Sequence, residues 1–229
     1  MASLLSRQPL LCIVTILYMV AGIGVSFATR NWEFLGYMAQ MTILIALIMW
    51  ADRRARFSAG VLWGLSLWGI MHLCGGIVPV PREMAEVAQG PGGRAVLYGL
   101  WIIPPNILKY DNIVHAWGFF ITTLACWQAL RRWLIPDERP TLAFFVVLAC
   151  AGMGLGSINE IIEFAATRFL KETGVGGYVN NSIDLIYNAI GSLIAAGIVW
   201  RTHRRGFAGL GPVVTDVTPA RPPATAGTR

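Results

Sequence analysis

DNIVHAWGFFITTLACWQALRR, Asp111 to Arg132, decides how this chain folds, because an apolar run long enough to cross a bilayer is headed by an acid and an imidazole. At 1.5 Å per residue the run extends about 33 Å, against about 30 Å of hydrocarbon. Asp111 and His115 are four apart and share a helix face, with His115 about 6 Å below the helix start. Asp is a good N-cap, so one reading makes Asp111 a cap with His115 satisfied beneath it. The other makes them a ligand pair or an acid and base couple.

Five further runs resemble it in length and apolarity: Pro9 to Ala28, Phe34 to Ala51, Gly60 to Val80, Thr141 to Phe169 and Ser182 to Trp200. The chain has 229 residues, 55% of them apolar and only 13% charged, and lacks the polar surface that a water-soluble domain needs. The expected fold class is therefore all-α: a polytopic membrane bundle of about six transmembrane helices, with residues 1–205 forming the transmembrane domain. Residues 206–229, rich in Gly, Pro, Thr and Ala, are expected to be a disordered cytoplasmic tail.

Charge asymmetry orients the bundle. One set of short links carries Arg7, Arg53, Arg54, Arg56, Arg131, Arg132, Arg139, Arg201, Arg204 and Arg205, while the other has Arg30, Arg82, Arg94, Lys109, Arg168 and Lys171. The positive-inside rule then places both termini in the cytoplasm of a bacterial cell, with the protein multi-pass in the inner membrane. This bias accounts for the net charge of +6, and no nucleic-acid-binding motif gives it another meaning. Cys12, Cys74, Cys126 and Cys150 lie inside apolar runs without paired ligand spacing, so they read as core side chains rather than disulfides or zinc ligands.

The link from Pro81 to Tyr110 is expected at the outer face. Its apolar part, Ala95 to Ile103, is too short to span and reads as a hairpin or half-inserted segment turning at Pro104-Pro105-Asn106. It is placed either to roof the polar groups or to serve as an inert interfacial loop.

Two more apolar runs bring acids to the same face. INEIIEF places Glu160 and Glu163 on neighbouring positions of one helix face, about 28 Å from Thr141. Adjacent carboxylates repel when both are ionised, so they call for a shared proton or cation; Arg168 is a local candidate at poor spacing. NNSIDLIYNAIGS places Asn188 one turn below Asp184, with Gly191 and Ser192 small enough for close helix approach. Asn181 and Asp184 have capping-box spacing, and Asn188 also fits a role as interhelical glue. His72 reads as a buried histidine bonded to a neighbour, and His203 as solvated.

Asp111-x-x-x-His115, Glu160-x-x-Glu163 and Asp184-x-x-x-Asn188-x-x-Gly191 together resemble the YjdF family of bacterial inner-membrane proteins and, more distantly, VanZ-like proteins. The resemblance covers about Tyr110 to Ala196. VanZ-like proteins usually have Glu-x-x-Gln followed by a basic residue in the second string, so Glu163 favours YjdF. It implies fold and location rather than a reaction.

Ionisable groups at membrane depth are costly and point to function. The residues support a site at the outer leaflet in which Asp111, His115, Glu160 and Asp184 hold a divalent metal, Zn, Mn or Mg. Glu163 would be the general base and Asn188 a hydrogen-bonding partner. The expected partners are membrane lipid and a lipid-linked envelope substrate; oligomeric state is left open. A proton-linked transporter and a non-catalytic membrane scaffold are the alternatives, so enzymatic activity is itself open at this stage. Reporters fused after Lys171 and after Gly206 should report opposite sides of the membrane; the same side for both would remove this topology.

Overall fold

The computed structural model describes residues 4–86, 94–104, 107–133, 141–169 and 178–203. A short helix, α1 (Leu4–Arg7), precedes α2 (Pro9–Ala28), whose Pro9 occupies the first turn, where a missing N–H costs nothing. Then come α3 (Trp32–Ala55), α4 (Ala59–Ile77), α5 (Tyr110–Leu130), α6 (Leu142–Phe169) and α7 (Tyr178–His203). Among the described residues six helices, α2 to α7, are long and apolar enough to cross a membrane.

Their large apolar side chains face outward as well as inward. Leu17, Ile43, Val147, Ile161 and Ile194 are all more than half exposed. In water such a surface would be an aggregation liability; in lipid it is the solvated face. Cys150 belongs to this outward surface, whereas the other three cysteines are only partly buried, and all four are free.

The tight links have local causes. After α2 the chain turns through Arg30 in the left-handed region (φ 51°), and the Asn31 side chain accepts from Phe34 N at 3.1 Å to start α3. After α3, Arg56 turns the same way (φ 52°) and Ser58 caps α4. Asp52 holds this corner, pairing with Arg7 and accepting from Phe57 N at 2.9 Å. Gln128 of α5 ties in, accepting from Ser58 N and donating to Ser58 Oγ, both at 2.8 Å.

The link between α4 and α5 is a hairpin assembly, as one of the two expected readings had it. Strand β1 (Trp101–Ile103) pairs antiparallel with β2 (Leu108–Lys109). On its other side the same segment pairs back to the chain leaving α4, through Val80 N→Ala95 O at 3.1 Å, Leu97 N→Val78 O at 2.9 Å and Glu86 N→Gly99 O at 2.9 Å. Pro105 and Asn106, expected at the turn, lie outside the described residues, as do Gly90 to Gly93, Lys171 and the tail.

The three C-terminal helices pack most extensively on one another, α5 on α7 above all, and α4 joins them to α2 and α3. Trp127, Leu148, Ala149, Ala196 and Val199 form their apolar core. His203 belongs here, not to solvent as its basic neighbours suggested: it is 3% exposed, its ring 4.7 Å from that of Trp127 and its Nδ1 2.8 Å from Val199 O. A helix one turn longer than expected carries it inside.

Gly191 sets the α5–α7 spacing. A Cβ there would lie 2.1 Å from Ala116 O and 2.9 Å from Phe120 N, both backbone atoms of α5. We expect Gly191→Ala to destabilise the protein by ~1–3 kcal/mol through overpacking. Gly154→Ala on α6, where a Cβ meets nothing within 4 Å, should be neutral or raise stability by up to ~1 kcal/mol through helix propensity. Thermal unfolding in detergent measures both; equal effects would show that the two helices are not in contact at Gly191.

Candidate functional site

α5 starts, α6 ends and α7 starts at the hairpin face, so three short polar strings meet without any helix break. His115 is the centre. Its Nδ1 lies 3.0 Å from Asn188 Oδ1 and 3.3 Å from Glu160 Oε1, and its Nε2 lies 3.6 Å from Asp111 Oδ1. The Asn188 amide donates through Nδ2 to Glu160 Oε1 at 3.1 Å. With the amide oxygen facing the ring and its nitrogen facing the carboxylate, Nδ1 is the ring's donor and Nε2 is turned toward Asp111.

Asp111, His115 and Asp184 form one group, and His115, Glu160 and Glu163 another, with one ligand atom of each within 4.8 Å of the others in its group. Thus the structure brings together all six residues singled out from sequence. Asp184 and Glu160 are 0% and 4% exposed, while Asp111 and Glu163 are less deeply buried.

Neither capping account of these acids holds. The N-cap of α5 is Lys109, whose backbone N–H is taken by Asn112 Oδ1 at 2.9 Å, leaving Asp111 free to face His115. α7 begins at Tyr178, so Asn181 and Asp184 stand inside a helix whose first turn has already passed. Asn181 Nδ2 instead reaches across to Glu160 Oε2 at 2.7 Å.

Asparagines are what sequence reasoning missed. Asn112 Nδ2 donates to Asp184 Oδ1 at 3.1 Å, Asn180 Nδ2 to Asp184 Oδ2 at 2.6 Å and Asn159 Nδ2 to Glu163 Oε1 at 2.7 Å. Asn159 and Glu163, like Asn180 and Asp184, are four apart on one helix, which is the signal that was available. Lys109 closes the rim, donating to Asn180 Oδ1 and pairing with Glu86 Oε2 at 3.1 Å.

The hairpin supplies Tyr98. Its ring covers Gly75, where a Cβ would lie 2.5 Å from the ring, and its hydroxyl pairs with His72 Nδ1. Burial pushes the Tyr98 hydroxyl well above the usual phenol range, with the charges of Asp111 and Glu163 adding to the shift. It therefore stays neutral across any pH at which the protein is handled. His72 has the bonded neighbour expected of it, and successive ring contacts through Trp68 and Phe119 link it to His115.

A family of predicted membrane proteins, DUF2238, matches residues 9–205, which covers every described transmembrane helix. The chain belongs to that family. No curated protein and no solved structure matches it. The family description bears out the membrane location and names no activity, and nothing in it extends to the VanZ-like proteins.

Asn112 is 1% exposed and is a donor to one group and an acceptor for another. Asn112→Leu nearly preserves shape but strands both partners, and should destabilise by ~1–3 kcal/mol for each group left unpaired. Thermal melts in detergent would show this; an unchanged midpoint would mean Asp184 and the Lys109 N–H do not depend on it.

Proposed function

We propose that this is an inner-membrane protein with metal-dependent chemistry on a lipid or lipid-linked envelope substrate, both termini cytoplasmic and the His/carboxylate site opening at the outer leaflet. One observation carries the reading. Among the described residues Asp111, Glu160, Glu163 and Asp184 crowd a single imidazole, and the hydrogen-bond partners of Glu160, Glu163 and Asp184 are otherwise neutral asparagine amides, with Lys109 on the rim. Amides orient carboxylates but cannot cancel their charge, so the cluster requires protons or a cation. Its donor set, oxygen-rich with one imidazole, suits Zn or Mn, or Mg with the imidazole outside its coordination shell.

Three ligands at about 2.1 Å from one metal lie at most about 3.6 Å from one another, so a group whose ligand atoms already lie within 4.8 Å closes on an ion by side-chain movements of about 1 Å. Asp111, His115 through Nε2, and Asp184 would hold it, with Glu160 facing Nδ1 at the other edge of the ring. Asn188 fixes the ring and Glu160 together, as outer partners of metal ligands commonly do. Glu163, less buried and held by Asn159, is the general base, positioned to accept a proton from a nucleophile entering from the hairpin face. The ion itself, when bound, supplies Lewis acidity. The order and spacing of the three strings support placing the chain with YjdF-type proteins.

One observation favours a non-catalytic packing role instead: Glu160, Glu163 and Asp184 all have amide partners within the bundle. Asp111→Asn and Glu163→Gln separate the two, since both nearly keep shape and remove charge. For a metal site, wild-type protein should carry a divalent ion removable by chelator. Asp111→Asn should insert normally yet bind that ion at least ~10-fold more weakly. Metal-free wild type, with Glu163→Gln as stable as wild type or more so, would leave the packing role.

A further inference from the structure

A second concavity opens at the hairpin face, on the other side of α4 from the acid cluster and sharing no residue with it. It has a volume of about 430 Å³ and lies where α2 and α4 end and α3 begins. Val25, Ile77, Val80 and Val96 give it apolar walls, and Arg82 and Arg94 are the charged residues in its lining, with no acid among them.

Its floor is built by pairing described above. The chain leaving α4 and the segment from Arg94 are joined by Val80 N→Ala95 O and Leu97 N→Val78 O, so Arg82, which opens a 3-10 turn (Arg82–Met84), and Arg94 both lie beside this pairing. Arg94 is aimed across the opening, with Nη2 donating to Thr29 O at 3.1 Å, and both guanidinium-bearing side chains are exposed. Gly76, in the lining, lets the ring of Phe34 pack against α4, since a Cβ there would lie 2.0 Å from it.

Position and chemistry agree on a ligand. The helix ends mark the hydrocarbon boundary, where a phospholipid presents its phosphate above and its chains below. Guanidinium forks match phosphate oxygens bidentately, retain their charge and are more weakly hydrated than an ammonium. We propose that this concavity is a binding site for the headgroup of an anionic phospholipid, its phosphate held by Arg82 and Arg94 and its proximal acyl carbons against Val25, Val80 and Val96. The site stands independently of the metal-dependent reading of the acid cluster.

The test uses the full chain in detergent, titrated with phosphatidylglycerol, with phosphatidylcholine of identical chains, and with inorganic phosphate. Thermal midpoint and lipid retention by native mass spectrometry are read together. Phosphatidylglycerol should raise the midpoint and stay bound, and phosphatidylcholine should bind at least ~10-fold more weakly. Arg82→Gln with Arg94→Gln should remove that preference by ~10-fold or more, as should Ala95→Trp, which fills the concavity without changing its charge. Arg53→Gln, at the opposite end of α3, and Asp111→Asn, in the acid cluster, should both retain it.

Equal binding of the two lipids, or a preference surviving both the arginine and the Ala95→Trp changes, would overturn the proposal. Inorganic phosphate that competes as well as the lipid would also overturn it, showing a free-anion site. If Arg94→Gln lowers the midpoint equally with and without phosphatidylglycerol, Arg94 only caps the carbonyl end of α2 and the proposal falls.

Discussion

Four carboxylates around one imidazole constrain everything else in this bundle. Such a group is tolerated at membrane depth only when protein surrounds it and every oxygen finds a partner. α5, α6 and α7 therefore approach closely at this end. Gly191 lets α7 contact the α5 backbone, and Gly156 leaves room on α6 for Asn188, which would be 3.0 Å from a Cβ there. The small residues and the polar ones are two parts of one requirement: only closely spaced backbones allow a side chain as short as Asn to bridge helices.

Much of this was legible in the chain. Six apolar runs gave six helices, and acids at three run ends gave one cluster, because membrane span length and the cost of a buried charge both act on residues visible in sequence. What escaped were the neutral partners. Asparagine is common at turns and caps, so Asn112, Asn180 and Asn181 could be taken for helix-boundary residues; their roles depend on where α5 and α7 begin, and α7 begins three residues before Asn181. Tyr98 was unreadable for another reason. Its partner His72 is 26 residues away across a hairpin whose register no local pattern sets. His203 was misread because basic neighbours suggest solvent, while only tertiary packing reveals the Trp127 ring beside it.

Polarity divides the bundle unevenly. At the face away from the hairpin, Asp52, Arg7, Ser58 and Gln128 make a compact corner in which an acid meets a guanidinium and hydrogen-bonding groups. That corner balances its charge and has an evident structural task, joining α1, α3, α4 and α5. Among the described residues the acid cluster at the hairpin face instead sets four carboxylates around one imidazole, with asparagine amides as hydrogen-bond partners and Lys109 on the rim.

The hairpin borders the site and is itself built by backbone pairing. Nine apolar residues from Ala95 cannot span, and a half-inserted helix would leave its terminal carbonyls without partners in hydrocarbon. Pairing on both flanks, to Val78 and Val80 on one side and from Leu108 and Lys109 on the other, supplies backbone partners along the segment. Gly99 is required for this, since a Cβ would meet Glu86 O at 2.1 Å. The same segment then presents Tyr98 inward over Gly75, Arg94 outward across Thr29 O, and Lys109 toward Asn180 and Glu86. The segment is thus fixed to α4 by the Tyr98 side chain, packed on Gly75 and bonded to His72, as well as by its backbone pairing.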